Sequence, residues 1–91
     1  MVAKVKVRVF HELRSTLGQS ELELEVHTLN DVLRSLIRIQ RKLREVFFDP
    51  EGGLRPYMLF YVNNKVQSPP DLSMKLNDGD LVLLIPPAAG G

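Results

Sequence analysis

The sequence predicts an α+β fold, a mixed sheet of four to five strands wrapped on one long helix. Three observations predict it: short stretches near both ends alternate or run apolar at strand length, one long amphipathic segment lies between them, and the joints are rich in turn-forming residues. Strands gathered around a single apolar helical stripe have to bury that stripe on the sheet.

Residues 3–10 alternate strictly, with Val5, Val7 and Val9 on one face and Lys4, Lys6 and Arg8 on the other. That period of two is the mark of a half-buried strand. Leu13 and Leu17, four apart and followed by Gly18, suit one or two helical turns with a glycine cap. From Ser20 to Val26 the alternation returns, Leu22, Leu24 and Val26 against Glu21, Glu23 and Glu25. Basic residues on the first polar face and acidic ones on the second favour pairing the two strands side by side.

Thr28 and Asp31 resemble a capping box, in which Thr28 accepts a backbone hydrogen bond and Asp31 complements the helix dipole. One helix is expected from there, its stripe made of Leu29, Val32, Leu33, Leu36, Ile37, Leu43 and Val46. Arg34, Arg38, Arg41, Lys42 and Arg44 crowd its other faces, a charge pattern that is usually only solvated but is able to dock an acidic partner. Asp49 to Pro56 reads as a surface loop, and its Gly52-Gly53 neither follows a strand nor opens a helix, unlike a phosphate-cradling loop. Tyr57 to Val62 and Leu81 to Ile85 are apolar on both faces, so they are expected to lie centrally or to expose a sticky face. Between them come an Asn63-Asn64 turn, a short return strand at Lys65 to Gln67, and a tight turn from Asn77 to Asp80. Phe10, Phe60, Val66, Leu84 and Ile85 are the candidates for a partner-binding patch.

At 91 residues the chain is long enough for one domain that buries about 60–65% of its unfolded surface. Hydrophobic content of 44% with 25% charged residues is that of a folded soluble domain. A formal charge of +1, from 12 basic and 11 acidic residues, lacks the basic excess of a nucleic-acid binder. No apolar stretch approaches the ~20 residues of a membrane span, and the first residues run straight into a strand pattern, so a cytoplasmic protein is expected, with no nucleic-acid or membrane partner. With no cysteine there is no disulfide, thiolate nucleophile, persulfide or thiolate zinc site. His11 and His27, the only histidines, read as surface or edge residues.

The chemistry is expected in the tail. Residues 1–85 read as the domain and 86–91 as an extension ending in Gly90-Gly91. A glycine pair without Cβ atoms enters a channel too narrow for other residues. It would deliver the Gly91 carboxylate, which adenylation by a partner would turn into an acyl donor. The competing reading is a frayed, glycine-rich end.

Element order and closing motif together resemble the ubiquitin-like sulfur carriers of the MoaD/ThiS family. The residues that carry the resemblance are Val62-Asn63, then Leu76, Asp78-Gly79-Asp80 and Val82, then Pro86-Pro87-Ala88-Ala89-Gly90-Gly91. The proline pair, with Leu54-Arg55-Pro56, is most similar to the small subunit of molybdopterin synthase. Asn64 stands where the family often has glycine, a change for the turn and not for the chemistry, since asparagine tolerates left-handed angles.

The resemblance implies a ubiquitin-like β-grasp fold and a non-catalytic carrier subunit, with no permanently bound cofactor. A ubiquitin-activating-type enzyme would use ATP to adenylate Gly91, and a sulfur donor would displace AMP to leave a thiocarboxylate. The tail would then enter the large subunit of molybdopterin synthase and give sulfur to a pterin precursor. Gly90 would allow passage, Pro86 and Pro87 would stiffen the stem, and Phe10, Val66 and Ile85 would face the partner. Three alternatives stay open: conjugation of Gly91 to lysines as a modifier, sulfur delivery for thiamine, tungsten-pterin or transfer-RNA thiolation, and an inert ubiquitin-like module.

Overall fold

The computed structural model describes residues 2–67 and 69–86. Strand β1 (Ala3–Val9) is followed by helix α1 (Glu12–Leu17), strand β2 (Glu21–Val26) and helices α2 (Leu29–Ile39) and α3 (Leu43–Phe47). Strands β3 (Leu59–Val62), β4 (Lys65–Gln67) and β5 (Leu81–Ile85) complete the order. They form one five-stranded mixed sheet, β2-β1-β5-β3-β4. β1 and β5 run parallel at its centre, and β2 and β3 flank them antiparallel.

The alternation in the first two strands is realised residue by residue. Val5, Val7 and Val9 are buried against the helical layer, and Lys4, Lys6 and Arg8 stand opposite Glu25, Glu23 and Glu21 on the outer face. Between these strands Gly18 takes φ 85° and caps α1, its N–H donating to the Arg14 carbonyl. α2 begins with the expected capping box: Asp31 N–H donates to Thr28 Oγ1 at 3.3 Å, and Asp31 Oδ2 accepts from the N–H groups of His27 and Thr28 at 3.0 and 3.1 Å. These bonds, the one from His27 foremost, hold the Asp31 carboxyl below its usual range.

The single long helix is broken. α2 stops at Ile39, Gln40 takes an extended conformation at φ −142°, and α3 restarts at Leu43. A straight helix from Leu29 through Phe47 would span about 28 Å, more than the roughly 23 Å of the longest strand, β1, so it would overrun the sheet. Gln40 also falls where the stripe after Leu36 would need an apolar residue. The break folds the chain back, and Leu43 and Phe47 become fully buried, whereas Val46, assigned to the stripe, is only half-buried. The core thus lies between one sheet face and α2, closed at one end by α1 and α3. Among the described residues no helix is long and apolar enough to cross a membrane.

Candidate functional site

The strand that leads into the diglycine is held by a polar clip. In the β3–β4 hairpin Asn63 and Asn64 both adopt positive φ, 50° and 69°, the pair of left-handed residues that a two-residue hairpin loop requires. This geometry points the Asn63 side chain at the start of β5. Its Oδ1 accepts from Leu81 N–H at 2.9 Å, and its Nδ2 donates to Asp80 Oδ1 at 2.9 Å. Asp80, the one buried charged residue among those described, uses Oδ2 to accept from Asn77 N–H at 2.8 Å. Asp78 and Gly79 fasten the same turn to β1, Asp78 Oδ1 accepting from Lys4 N–H and Gly79 N–H donating to the Lys4 carbonyl. Gly79 sits at φ 87°, where a Cβ would be strained. Asn63, Asp78, Gly79 and Asp80, which carry the mid-chain part of the family resemblance, thus fasten the start of β5 to the neighbouring hairpin and to β1.

From that root β5 runs between β1 and β3. Val82 and Leu84 point into the core, and Leu81, Leu83 and Ile85 lie half-buried on the outer face. Register pairs Leu83 with Tyr61 and Ile85 with Leu59, and Val66 stands beside Tyr61. Leu59 and Val66 are 44% and 50% exposed. An apolar surface thus covers one half of the outer face and reaches the end of β5. Phe10, half-buried, follows the Val9–Leu84 pair, at the end of the sheet where Ile85 lies.

Of the patch candidates, Val66 and Ile85 share this surface and Phe10 lies at its rim. Phe60 and Leu84 do not belong to it: both are fully buried against the helices, since the pleat puts Leu59 and Tyr61, and Leu83 and Ile85, outward instead. Leu59, Tyr61, Leu81 and Leu83 were missed, because a strand that is apolar on both faces carries no alternation to set its phase. Pairing β5 with the phased strand β1 would have supplied it. Pro86, expected as part of the stem, is buried. Pro87, Gly90 and Gly91 lie outside the described residues. His11 and His27 are exposed, and among the described residues no three His, Asp or Glu side chains gather to hold a metal.

The other half of the outer face is ionic. Arg8 Nε donates to Glu21 Oε1 at 2.7 Å, and Lys6 Nζ lies 3.9 Å from Glu21 Oε2. The bond from Arg8, with the nearby charge of Lys6, lowers the Glu21 pKa from its ordinary value.

The geometry, a mixed sheet covered by helices on one face with its last strand braced at the start, has counterparts among known proteins. A structure of small archaeal modifier protein 1 from Methanosarcina acetivorans superposes with a TM-score of 0.84 at 31% identity, covering 100% of this chain and 99% of that one. A candidate subunit 1 of a molybdopterin converting factor from Pyrococcus furiosus gives 0.72 at 25% identity, covering 93% and 98%. In sequence, a candidate sulfur carrier protein of Archaeoglobus fulgidus is 30% identical over 90 residues, 96% of this chain and 98% of that protein. These likenesses make the fold a ubiquitin-like β-grasp, as the resemblance implied. With residues 7–91 matching the family model as well, the chain belongs to the ThiS family.

Proposed function

We propose that this protein is a sulfur carrier whose Gly91 carboxylate is adenylated and then converted to a thiocarboxylate. The observation that carries the reading is the extent of the family match, which runs from residue 7 through Gly91 and so takes in the whole Pro86 to Gly91 motif. In the first step a carboxylate oxygen of Gly91 attacks the α-phosphorus of ATP on an activating enzyme, and pyrophosphate leaves. In the second a nucleophile carrying sulfide-level sulfur attacks the acyl carbon, AMP leaves, and loss of the sulfur-bound proton gives the thiocarboxylate. The chain contributes the reactive carboxylate and no acid or base, which agrees with the structural use of Asn63, Asp78 and Asp80.

The acceptor we assign is a pterin precursor, which the transferred sulfur turns into molybdopterin. The assignment rests on the likeness to the Pyrococcus furiosus chain, whose name is a molybdopterin converting factor subunit, and on the Pro86-Pro87 and Leu54-Arg55-Pro56 resemblances. In this reading the large synthase subunit covers Val66, Ile85 and the Phe10 rim, and Gly90 lets the tail through to the pterin precursor. The higher TM-score with a protein named as a modifier favours one second reading, attack on the same adenylate by a lysine amine to give an isopeptide bond.

Intact-mass measurement of the protein from its native host separates the two. The carrier reading expects a free species in which sulfur has replaced one oxygen, located to Gly91 by fragmentation. Gly91 found only in isopeptide linkage to target lysines would overturn it in favour of the modifier.

A further inference from the structure

The tail chemistry makes no use of the arginines, and their distribution is uneven. Five of the seven arginines in the chain, Arg34, Arg38, Arg41, Arg44 and Arg55, line one open groove between the outward side of α2, the start of α3 and the 49–55 loop. None of the five lysines lines it. Arg34 and Arg38 stand one helical turn apart on α2, and Arg41 follows in the turn after it. Among the described residues the ion pairs are those of Lys6 and Arg8 with Glu21, on the opposite side of the molecule. Arg55 is anchored by its Nε, which donates to the Glu45 carbonyl at 2.7 Å. Its remaining guanidinium donors keep the fork geometry that suits carboxylates and phosphates.

Two features decide which anion fits. Half-buried Ile37 and Phe48 give the groove an apolar strip beside the arginines. Three carboxylates share its wall: Glu45, Glu51 and Asp49, the last already accepting from the N–H groups of Glu51 and Gly53. A continuous phosphate backbone would meet those carboxylates and gain nothing from the apolar strip. Separate acidic side chains on one side of an extended segment lying edge-on in the groove, with apolar ones on its other side, would satisfy both. In an extended peptide, side chains two apart on one face are spaced about 6.6 Å, close to the roughly 6 Å of one helical turn.

We propose that this groove binds an extended acidic segment of a partner protein, its carboxylates on Arg34 and Arg38 and its apolar side chains on Ile37 and Phe48. The groove lies on the helical side and the apolar half of the sheet on the other, so both surfaces are open at once. A protein held by the groove leaves the tail free to be threaded elsewhere. The proposal stands apart from the chemistry of Gly91, and its test does not depend on that chemistry.

The test is titration of the ¹⁵N-labelled full chain with a synthetic peptide of alternating glutamate and leucine, with an alternating lysine and leucine peptide and an oligouridylate as separate arms. The glutamate peptide is expected to shift amides of α2, α3 and residues 49–55, and to weaken several-fold as salt shortens the screening length from about 10 to 3 Å. R34E/R38E should bind at least ~10-fold more weakly, R34Q/R38Q should lose part of the affinity, and I85D should keep it all. The same spectra report whether each variant is folded. Shifts confined to the outer face of the sheet, equal binding of the lysine peptide, tighter binding of the oligouridylate, or no shift in any arm would each overturn the proposal.

Discussion

On the outer face of the sheet, β1 and β2 carry Lys4, Lys6 and Arg8 opposite Glu25, Glu23 and Glu21, whereas β5, β3 and β4 carry Leu81, Leu83, Ile85, Leu59, Tyr61 and Val66. Backbone and pleat are alike in the two halves, and the chemistry is opposite. The ionic half completes itself, since each basic side chain faces an acidic one across the ladder, and it places charge on the edge strand β2, which discourages pairing with other chains. Among the described residues nothing covers the apolar half, and it is the half that contains β5, the strand that precedes the tail. On the function proposed above, the difference marks where the partner would sit: the half that is not ionically paired is the half whose strand β5 precedes Gly91 in the chain.

The largest break in this comparison is made at the tail. Deleting Gly91, or adding one residue after it, should abolish pyrophosphate release by the activating enzyme while leaving the unfolding midpoint unchanged. Normal activation with an extended tail would detach the apolar half from any acyl-donor chemistry. Next in size is the clip at the root. Asp80→Ala leaves Asn63 Nδ2 and Asn77 N–H without their acceptor and should cost about 2–3 kcal/mol in denaturant unfolding. A loss within error would mean that the hairpin and β5 hold together by packing alone.

The halves differ too in how they could be foreseen. In β1 and β2 polar and apolar residues alternate, so face, phase and pairing were legible, down to the charges that oppose each other. In β3 and β5 apolar residues fill both faces, and Phe60 and Leu84 could not be told from Leu59 and Ile85 until the register was known. The capping box at Thr28 and Asp31 was legible because it is local. The end of α2 was not: Leu43 keeps the helical period of Leu36 across the break, and only the finite length of the sheet, with Gln40 in the stripe, argues against continuing. Likewise the Gly90-Gly91 motif is read from adjacent letters, but the clip joins Asn63 to Asp80, seventeen residues apart, through a hairpin that has to form first.

A single charge placed in the apolar half tests its role directly. Val66 is 50% exposed, so Val66→Asp should change stability by no more than about 0.5 kcal/mol. Its affinity for the large synthase subunit should fall about 10-fold, roughly 1.4 kcal/mol, in calorimetric titration. An unchanged affinity would move the partner off this surface.

The smallest effect belongs to the ionic half, and its value lies in its dependence on conditions. Glu21 is solvent-exposed and its pKa is lowered, foremost by the hydrogen bond from Arg8; desolvation opposes the shift and the charges of Lys6 and Arg8 add to it. A carboxyl whose folded pKa lies below its unfolded one stabilises the fold fully above the unfolded value, here ordinarily 4.5, and that contribution is lost as pH falls through the lowered folded value. Glu21→Gln should therefore lower the unfolding midpoint slightly near neutral pH, and the gap to the parent protein should close on acidification below that range. Salt should close it as well, because the pair is open to solvent. The Val66→Asp affinity loss, arising where apolar area is buried, should survive the same salt. Were the Glu21 gap to persist in acid and salt, the ionic ladder would be held by packing of its side-chain stems, and the contrast between the halves would be one of shape and not of charge.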